Sequence, residues 1–317
     1  MIKIAIVGAG ALGQRHLSAL ARLGQPVQVL VIDPSRSSLH AAEDVFNRVG
    51  FPQESELIIS SKRLEACDVA IIATNARERL AVLEGVLASG AGAVLLEKVL
   101  FTRLGDYDRA ASLIQEARTP VFVNCARRTF GSFSHLKMLV AGRPFSYRVE
   151  GNGWGLACNA VHHLDEFAAL AGKSDIKVDA SGLTPGYFPA KRPSYLELGG
   201  CLRASTPDGS SLEAICRPGP PSDRLVTVET LEGSAIVSEK ASTLTLSFGG
   251  KYKVFPIDIP LQSRITAEHV CALLAKREPA LPDYTAASAV HRPMICAFLE
   301  HLRLTCPNET FDECPIT

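Results

Sequence analysis

Three glycines and an aspartate are the first residues whose spacing points to chemistry. Gly8, Gly10 and Gly13 stand as G-x-G-x-x-G within residues 1–16, after the apolar run 2–7 and before leucines at helical intervals. Gly8 suits a tight turn, Gly10 lets backbone approach a pyrophosphate, and Gly13 lets a helix pack closely on a strand. Ala11 and Leu12 complete the turn, where free helix N–H groups and the positive dipole end face phosphates. Asp33 ends the next apolar run, twenty residues beyond Gly13, where a carboxylate accepts hydrogen bonds from an adenosine ribose. Its charge repels a 2′-phosphate and favours NAD, while Arg36 close by keeps NADP open. The alternative is a glycine-rich turn and an aspartate that caps the helix starting near Ser35.

Lys98, preceded by Glu97, follows the apolar strand 93–96. A lysine at the mouth of a parallel sheet can hydrogen-bond a substrate hydroxyl, and partial burial beside a cationic ring would lower its pKa. The alternative is a solvated loop lysine paired with Glu97. Further on, His162 and Asp165 stand three apart and share a helical face, with His163 about a quarter-turn away. An imidazole oriented by a carboxylate is a suitable proton acceptor for alcohol oxidation. The plainer reading is a helix with polar residues near its start. Adjacent histidines cannot share one helical face, so no metal site is expected. Arg127 and Arg128 could hold a substrate carboxylate or phosphate, or form a solvated basic pair. Cys158 reads as a structural thiol, because no helper residue stands at nucleophile spacing.

The elements that must carry these residues change grammar along the chain. Up to residue 124, apolar strands at 2–7, 27–32, 57–60, 68–73, 93–96 and 121–124 alternate with helical patterns at 35–49, 76–89 and 105–117. That alternation implies right-handed crossovers and an α/β, doubly wound parallel sheet of Rossmann type. Ligands bind beyond the carboxyl ends of such strands, where Thr74, Asn75, Glu97, Lys98 and residues 124–128 fall. Residues 125–317 are expected to form a second, α+β domain for substrate binding and oligomerisation. Helices there are expected at 132–141, 159–171, 264–277 and 284–304. Strands at 145–150, 176–184, 195–204, 210–216, 224–231, 234–239, 243–248 and 252–257 predict a large, mostly antiparallel open sheet. Trp154, in the glycine-rich turn at 151–155, joins Asn159 and His163 as expected substrate-side residues.

Composition agrees with two sizeable cores. The 317 residues are 47% hydrophobic and carry a formal net charge of zero, which gives no electrostatic reason to bind nucleic acid or an anionic membrane. No apolar run approaches a membrane span, and the chain starts directly on a strand. Nine scattered cysteines without a C-x-x-C pair read as reduced thiols. A cytoplasmic protein is expected.

Together, the run 8–16, the Ala73-Thr74 strand end, Glu97-Lys98, residues 124–128 and His162-x-x-Asp165 resemble the glucose–fructose oxidoreductase/inositol dehydrogenase (Gfo/Idh/MocA) family. The resemblance covers the N-terminal part and reaches about residue 171. It implies NAD(P)-dependent hydride transfer at a hydroxyl-bearing carbon of a sugar, polyol or related compound, and a homodimer or homotetramer assembled through the second domain's sheet. By that pattern Lys98, His162 and Asp165 are catalytic. Three departures stand out: Val99 occupies the usual proline position, Cys158 an aspartate position, and Thr74-Asn75-Ala76-Arg77 replaces Thr-Pro with a nearby histidine. The segment 152–163 resembles a branch found with bacterial surface-polysaccharide genes, pointing to an amino sugar or nucleotide-linked sugar. Two rivals stay open: a non-catalytic dinucleotide-binding sensor or assembly protein, and a sugar epimerase or lyase that uses bound NAD without net redox change.

Overall fold

The computed structural model describes residues 1–317, which fold as two compact units. The first comprises residues 1–101, 105–124 and 260–285. Its strands are β1 (Ile2–Val7), β2 (Val27–Ile32), β3 (Glu56–Ser60), β4 (Val69–Ile72), β5 (Val94–Leu96) and β6 (Val121–Val123). All pair in parallel in the order β3-β2-β1-β4-β5-β6. Helices α1 (Ala11–Leu20), α2 (Arg36–Arg48), α3 (Arg79–Ala88) and α4 (Leu104–Ala117) are the crossovers. This is a doubly wound sheet whose order reverses between β1 and β4, the crevice where ligands bind in such folds. Every residue of β4, β5 and β6 is buried, as expected of strands covered on both faces.

The core of this unit joins Ile4, Ile6, Leu17, Leu20, Val29, Val69, Ile71 and Leu95. Val270 and Leu273 complete it from a helix far along the chain. The first unit thus takes in residues 260–285 as well as 1–101 and 105–124. Ser35 caps α2, its hydroxyl accepting from Ser38 N–H at 3.3 Å. α3 begins at Arg79, three residues later than the apolar pattern predicts.

The second unit comprises residues 102–104, 125–259 and 286–317. A 3₁₀ turn at Ala126–Thr129 leads to α5 (Phe133–Val140), β7 (Ser146–Asn152), α6 (Leu156–Ala171) and β8 (Lys177–Leu183). A short ribbon, β9 (Phe188–Pro189) with β10 (Leu196–Glu197), precedes β11 (Gly200–Ser205), β12 (Ser211–Arg217), β13 (Leu225–Glu229), β14 (Gly233–Ser238), β15 (Thr243–Phe248) and β16 (Lys251–Pro256). α7 (Gln262–Leu274) belongs to the first unit, and α8 (Tyr284–Thr305) closes the chain.

The large sheet runs β16-β15-β14-β13-β7-β12-β11-β8. All its pairs are antiparallel except β7 with β12, which run parallel from Ser146↔Ser211 to Asn152↔Arg217. On one face Tyr147, Val149, Leu212, Ala214, Val226, Val228 and Val237 are buried, and α5 and α6 pack on this sheet. On the other, Arg203, Glu213, Arg148, Glu150 and Arg217 form a ladder of ion pairs at 2.7–3.3 Å. The strand expected over 195–204 splits into β10 and β11 around Leu198-Gly199.

Candidate functional site

In the first unit the glycines do three different mechanical jobs. Gly8 has φ +98°, and a Cβ there would meet the Ala73 carbonyl carbon and the Thr74 nitrogen at 2.9 Å. A Cβ on Gly13 would collide with the Gly8 carbonyl oxygen, so α1 sits directly on the loop. Gly10 is different: a Cβ there would have nothing within 4 Å. Gly10 is also the N-cap of α1, with no side-chain cap and no acidic residue in the first turn. The first-turn N–H groups of a helix have no intrahelical acceptor, so this exposed start suits a phosphate.

Asp33, half-buried at the end of β2, ties the loop together. Its Oδ2 accepts from Ala9 N–H at 2.7 Å and its Oδ1 from Ser35 N–H at 2.8 Å. A carboxylate has about four acceptor sites, so two local bonds leave capacity for ribose hydroxyls. The helix cap itself is Ser35, so Asp33 buttresses the turn before α2 rather than capping the helix. Arg36 is exposed at the first residue of α2.

Beyond β4 and β5 a buried polar cluster forms. Glu97 accepts from His16 Nε2 at 3.0 Å and from Asn124 Nδ2. His16, on α1, turns its Nδ1 to the Thr266 hydroxyl of α7 at 2.9 Å, and Gln262 also donates to that oxygen, at 3.1 Å. Both ring nitrogens of His16 are thus engaged, one by a carboxylate and one by a hydroxyl. Burial alone would push Glu97 up, but the His16 and Asn124 hydrogen bonds and the Lys98 charge outweigh it and hold the carboxyl below its ordinary value. Lys98 follows, half-buried. The Lys98–Val99 peptide is cis although position 99 is valine. Thr74 and Asn75 lie half-buried after β4, and Arg79 on α3 is 2% exposed and donates to the Thr74 and Val99 carbonyl oxygens and to Leu100 O at 3.2 Å.

In the second unit α6 starts at Leu156, three residues before the predicted position, because Gly155 takes the left-handed conformation at φ +72°. Glu197 then caps the helix, its Oε2 accepting from Ala157 N–H at 2.9 Å. Asn159 consequently sits inside the helix and donates to the carbonyl oxygens of Trp154 and Gly155, both at 2.9 Å. Trp154 donates to Ile215 O at 2.8 Å and meets the His163 ring edge-to-face at 5.7 Å.

Two consecutive arginines of the 3₁₀ turn grip two consecutive acids of α6. Arg128 holds Asp165 through paired bonds, Nε to Oδ2 at 2.7 Å and Nη2 to Oδ1 at 2.6 Å, the fork geometry that suits guanidinium and carboxylate. Arg127 donates to Glu166 Oε2 at 2.6 Å and also to Glu239, which pairs in turn with Arg224 at 3.0 Å. The Tyr147 hydroxyl donates to Glu166 at 2.7 Å, so His163 Nδ1 must donate to the Tyr147 oxygen, 2.9 Å away. His163 is fully buried and its Nε2 has no partner. Burial, with the Arg127, Arg224 and His162 charges, holds His163 well below its ordinary value and so neutral. Burial and the Glu166 charge push Tyr147 well up. Burial pushes Asp165 up to about 6 against the pull of Arg128. His162, next to His163, remains half-buried.

Several of these partners carry little or no signal in the sequence. Glu166 had a weak signal, adjacent to Asp165. Arg79, Tyr147, Glu239 and Thr266 had none, because only the fold selects them. No three His, Cys, Asp or Glu side chains gather as a metal site, and no helix is long and apolar enough to cross a membrane.

Residues 2–125 match the model of the GFO_IDH_MocA oxidoreductase family, which has a NAD-binding Rossmann fold. The whole-chain fold resembles that of UDP-N-acetylglucosamine 3-dehydrogenase from Acidithiobacillus ferrooxidans at 16% identity and TM-score 0.70, covering 96% of this chain and 97% of that one. It also resembles biliverdin reductase from Synechocystis, solved with biliverdin and NADP⁺, at 17% identity and TM-score 0.73, covering 96% and 99%. A third likeness is an Agrobacterium radiobacter oxidoreductase solved with NAD⁺, L-tartaric acid and magnesium, at 14% identity and TM-score 0.72, covering 95% and 96%. No curated protein sequence matches the chain.

Proposed function

The chain carries the NAD-binding Rossmann domain of the Gfo/Idh/MocA oxidoreductase family, and we propose that it oxidises or reduces a hydroxyl-bearing carbon of a sugar, polyol or nucleotide-linked sugar. The observation that carries this reading is on α6. His162 stays half-buried while Asp165, three residues on, is locked by the Arg128 fork. A half-buried imidazole on a helix turn held by that ion pair suits exchange of a hydroxyl proton.

NAD(P), when held here, would supply the hydride chemistry. Gly8, Gly10 and Gly13 would form its cradle, the first-turn N–H groups of α1 would serve its phosphates, and Asp33 would take ribose hydroxyls, which favours NAD, with Arg36 the residue that would accommodate NADP. Thr74, Asn75 and Glu97 border the same crevice of the first unit, with Lys98 a hydrogen-bond donor to substrate. In the second unit His162 exchanges the substrate's proton. Asp165 holds the helix turn that carries it. Arg127 and Arg128 act through Glu166 and Asp165, which occupy their bonds, and Trp154, Asn159 and His163 shape the wall around α6. Likeness to a UDP-sugar dehydrogenase supports the substrate class, while likeness to a biliverdin reductase warns that this fold also serves other substrates. A second copy of the chain is proposed to cover the sheet face that bears exposed Ile236, Tyr252 and Val254 beside the ion-pair ladder.

Formation of NADH against a panel of sugars and nucleotide sugars tests the reading. His162→Ala is expected to lower kcat by about 10²–10⁴ with NAD affinity unchanged, the range for losing a general base. Full activity in that variant would remove His162 from the reaction.

A further inference from the structure

Arg79 is the most deeply buried arginine of the first unit, 2% exposed at the first residue of α3. Its guanidinium donates to three main-chain carbonyls: Nη1 to Val99 and Leu100, Nη2 to Thr74. These lie in two different loops. Thr74 follows β4, and Val99 and Leu100 follow Lys98 beyond β5. A guanidinium is planar and presents its donors in a fixed fork, so one side chain sets the spacing between the two loops. A lysine could not, because its single ammonium cannot reach separated acceptors on both sides with fixed geometry. Val99 lacks a proline ring to stiffen the segment after Lys98, and its carbonyl oxygen is held from outside instead.

Glu97 fixes the other side of Lys98, through His16 and Asn124. Lys98 is thus bracketed: its preceding residue is anchored by a buried carboxylate and its two following residues by a buried guanidinium. We propose that Arg79 is a positioning residue that holds the Lys98 segment against the Thr74 loop, so that the lysine ammonium is presented at one fixed place. The inference rests on the functional reading above for the lysine's role, and on the geometry alone for its immobilisation.

The test separates the two. In the free protein, Lys98 is acetylated with acetic anhydride across a range of pH, and its rate is followed by mass spectrometry in the wild type, Arg79→Lys and Arg79→Gln. Melting temperature and circular dichroism check folding. Both variants are expected to fold, with Lys98 acetylated several-fold faster and its pH profile displaced, while an exposed lysine such as Lys251 reacts at an unchanged rate. In turnover, kcat should fall by about 10–100-fold with the NAD KM little changed, the scale of a misplaced catalytic group. Acetylation rates and profiles equal to wild type in a folded variant would overturn the proposal. So would failure of Arg79→Lys to fold, which would assign the guanidinium to stability alone. Faster acetylation in a protein whose wild type transfers no hydride to any sugar would sink the functional reading and leave the positioning intact.

Discussion

The two units immobilise their candidate side chains by different electrostatics. In the first, one buried carboxylate, Glu97, accepts from an imidazole and an amide, and Arg79 donates to backbone carbonyls. In the second, Asp165, Glu166 and Glu239 face Arg128, Arg127 and Arg224 as ion pairs around α6. The first arrangement uses groups that stay polar but mostly uncharged on one side of each bond. The second sets full charges against each other inside the protein, where removing one partner strands the other. The first unit should therefore tolerate single losses that the second does not.

That difference can be broken directly. Arg127→Met keeps much of the side-chain volume but leaves Glu166 and Glu239 short of a counter-charge, and is expected to cost about 3–5 kcal/mol in urea unfolding. The matching change in the first unit, Asn124→Ala, removes one hydrogen bond to an ionised carboxylate and should cost only about 1.5–3 kcal/mol. Equal costs would erase the distinction.

Acid sharpens the comparison further. In the first unit, burial holds His269 down at about 4. Its folded pKa lies below the ordinary value of 6.5, so the stability it supplies is complete above 6.5 and is lost as pH falls towards 4. In the second unit His163 acts in the same sense, but Asp165 acts in the opposite one. Its folded pKa is raised, so its contribution is present below about 3.8 and lost as pH rises through about 6. Glu97 and Glu239, both held low, matter only below about 4.5. Between pH 6.5 and 4.5 the first unit should weaken by about 2 kcal/mol, from the displaced His269 titration. The second should weaken less, read as amide exchange in each unit. Asp165→Asn removes the opposing term and should make the second unit steeper. Identical slopes in wild type and variant would refute this assignment.

The same contrast explains what could be read from the residues alone. Apolar runs bracketed by glycine show the parallel strands of the first unit, and Gly8, Gly10, Gly13, Asp33 and Glu97-Lys98 fall at strand ends because such sheets place loops there. Helix α7 was legible as a helix but not as part of the first unit, since Val270 and Leu273 look like any apolar pair until they meet Leu17 and Leu20. In the second unit the alternation marked strands but not their order, and the parallel pairing of β7 with β12 has no local signal. Glu239 is 112 residues from the arginine it pairs with, and only the folded sheet brings them together.

Binding of the dinucleotide by the glycine cradle of the first unit can be isolated with one variant. A methyl group on Gly10 would touch nothing in the protein, and φ there is −64°, which alanine adopts freely. Thermal unfolding of the wild type and Gly10→Ala would be followed with NAD, with NADP and with neither. The two free proteins should melt together to within about 1 kcal/mol of stability, the scale of an N-cap change. NAD should raise the wild-type melting temperature, since saturation at a hundred times Kd adds about 2.7 kcal/mol, and should raise that of Gly10→Ala much less. No rise in the wild type with either nucleotide, or an equal rise in both proteins, would contradict the account.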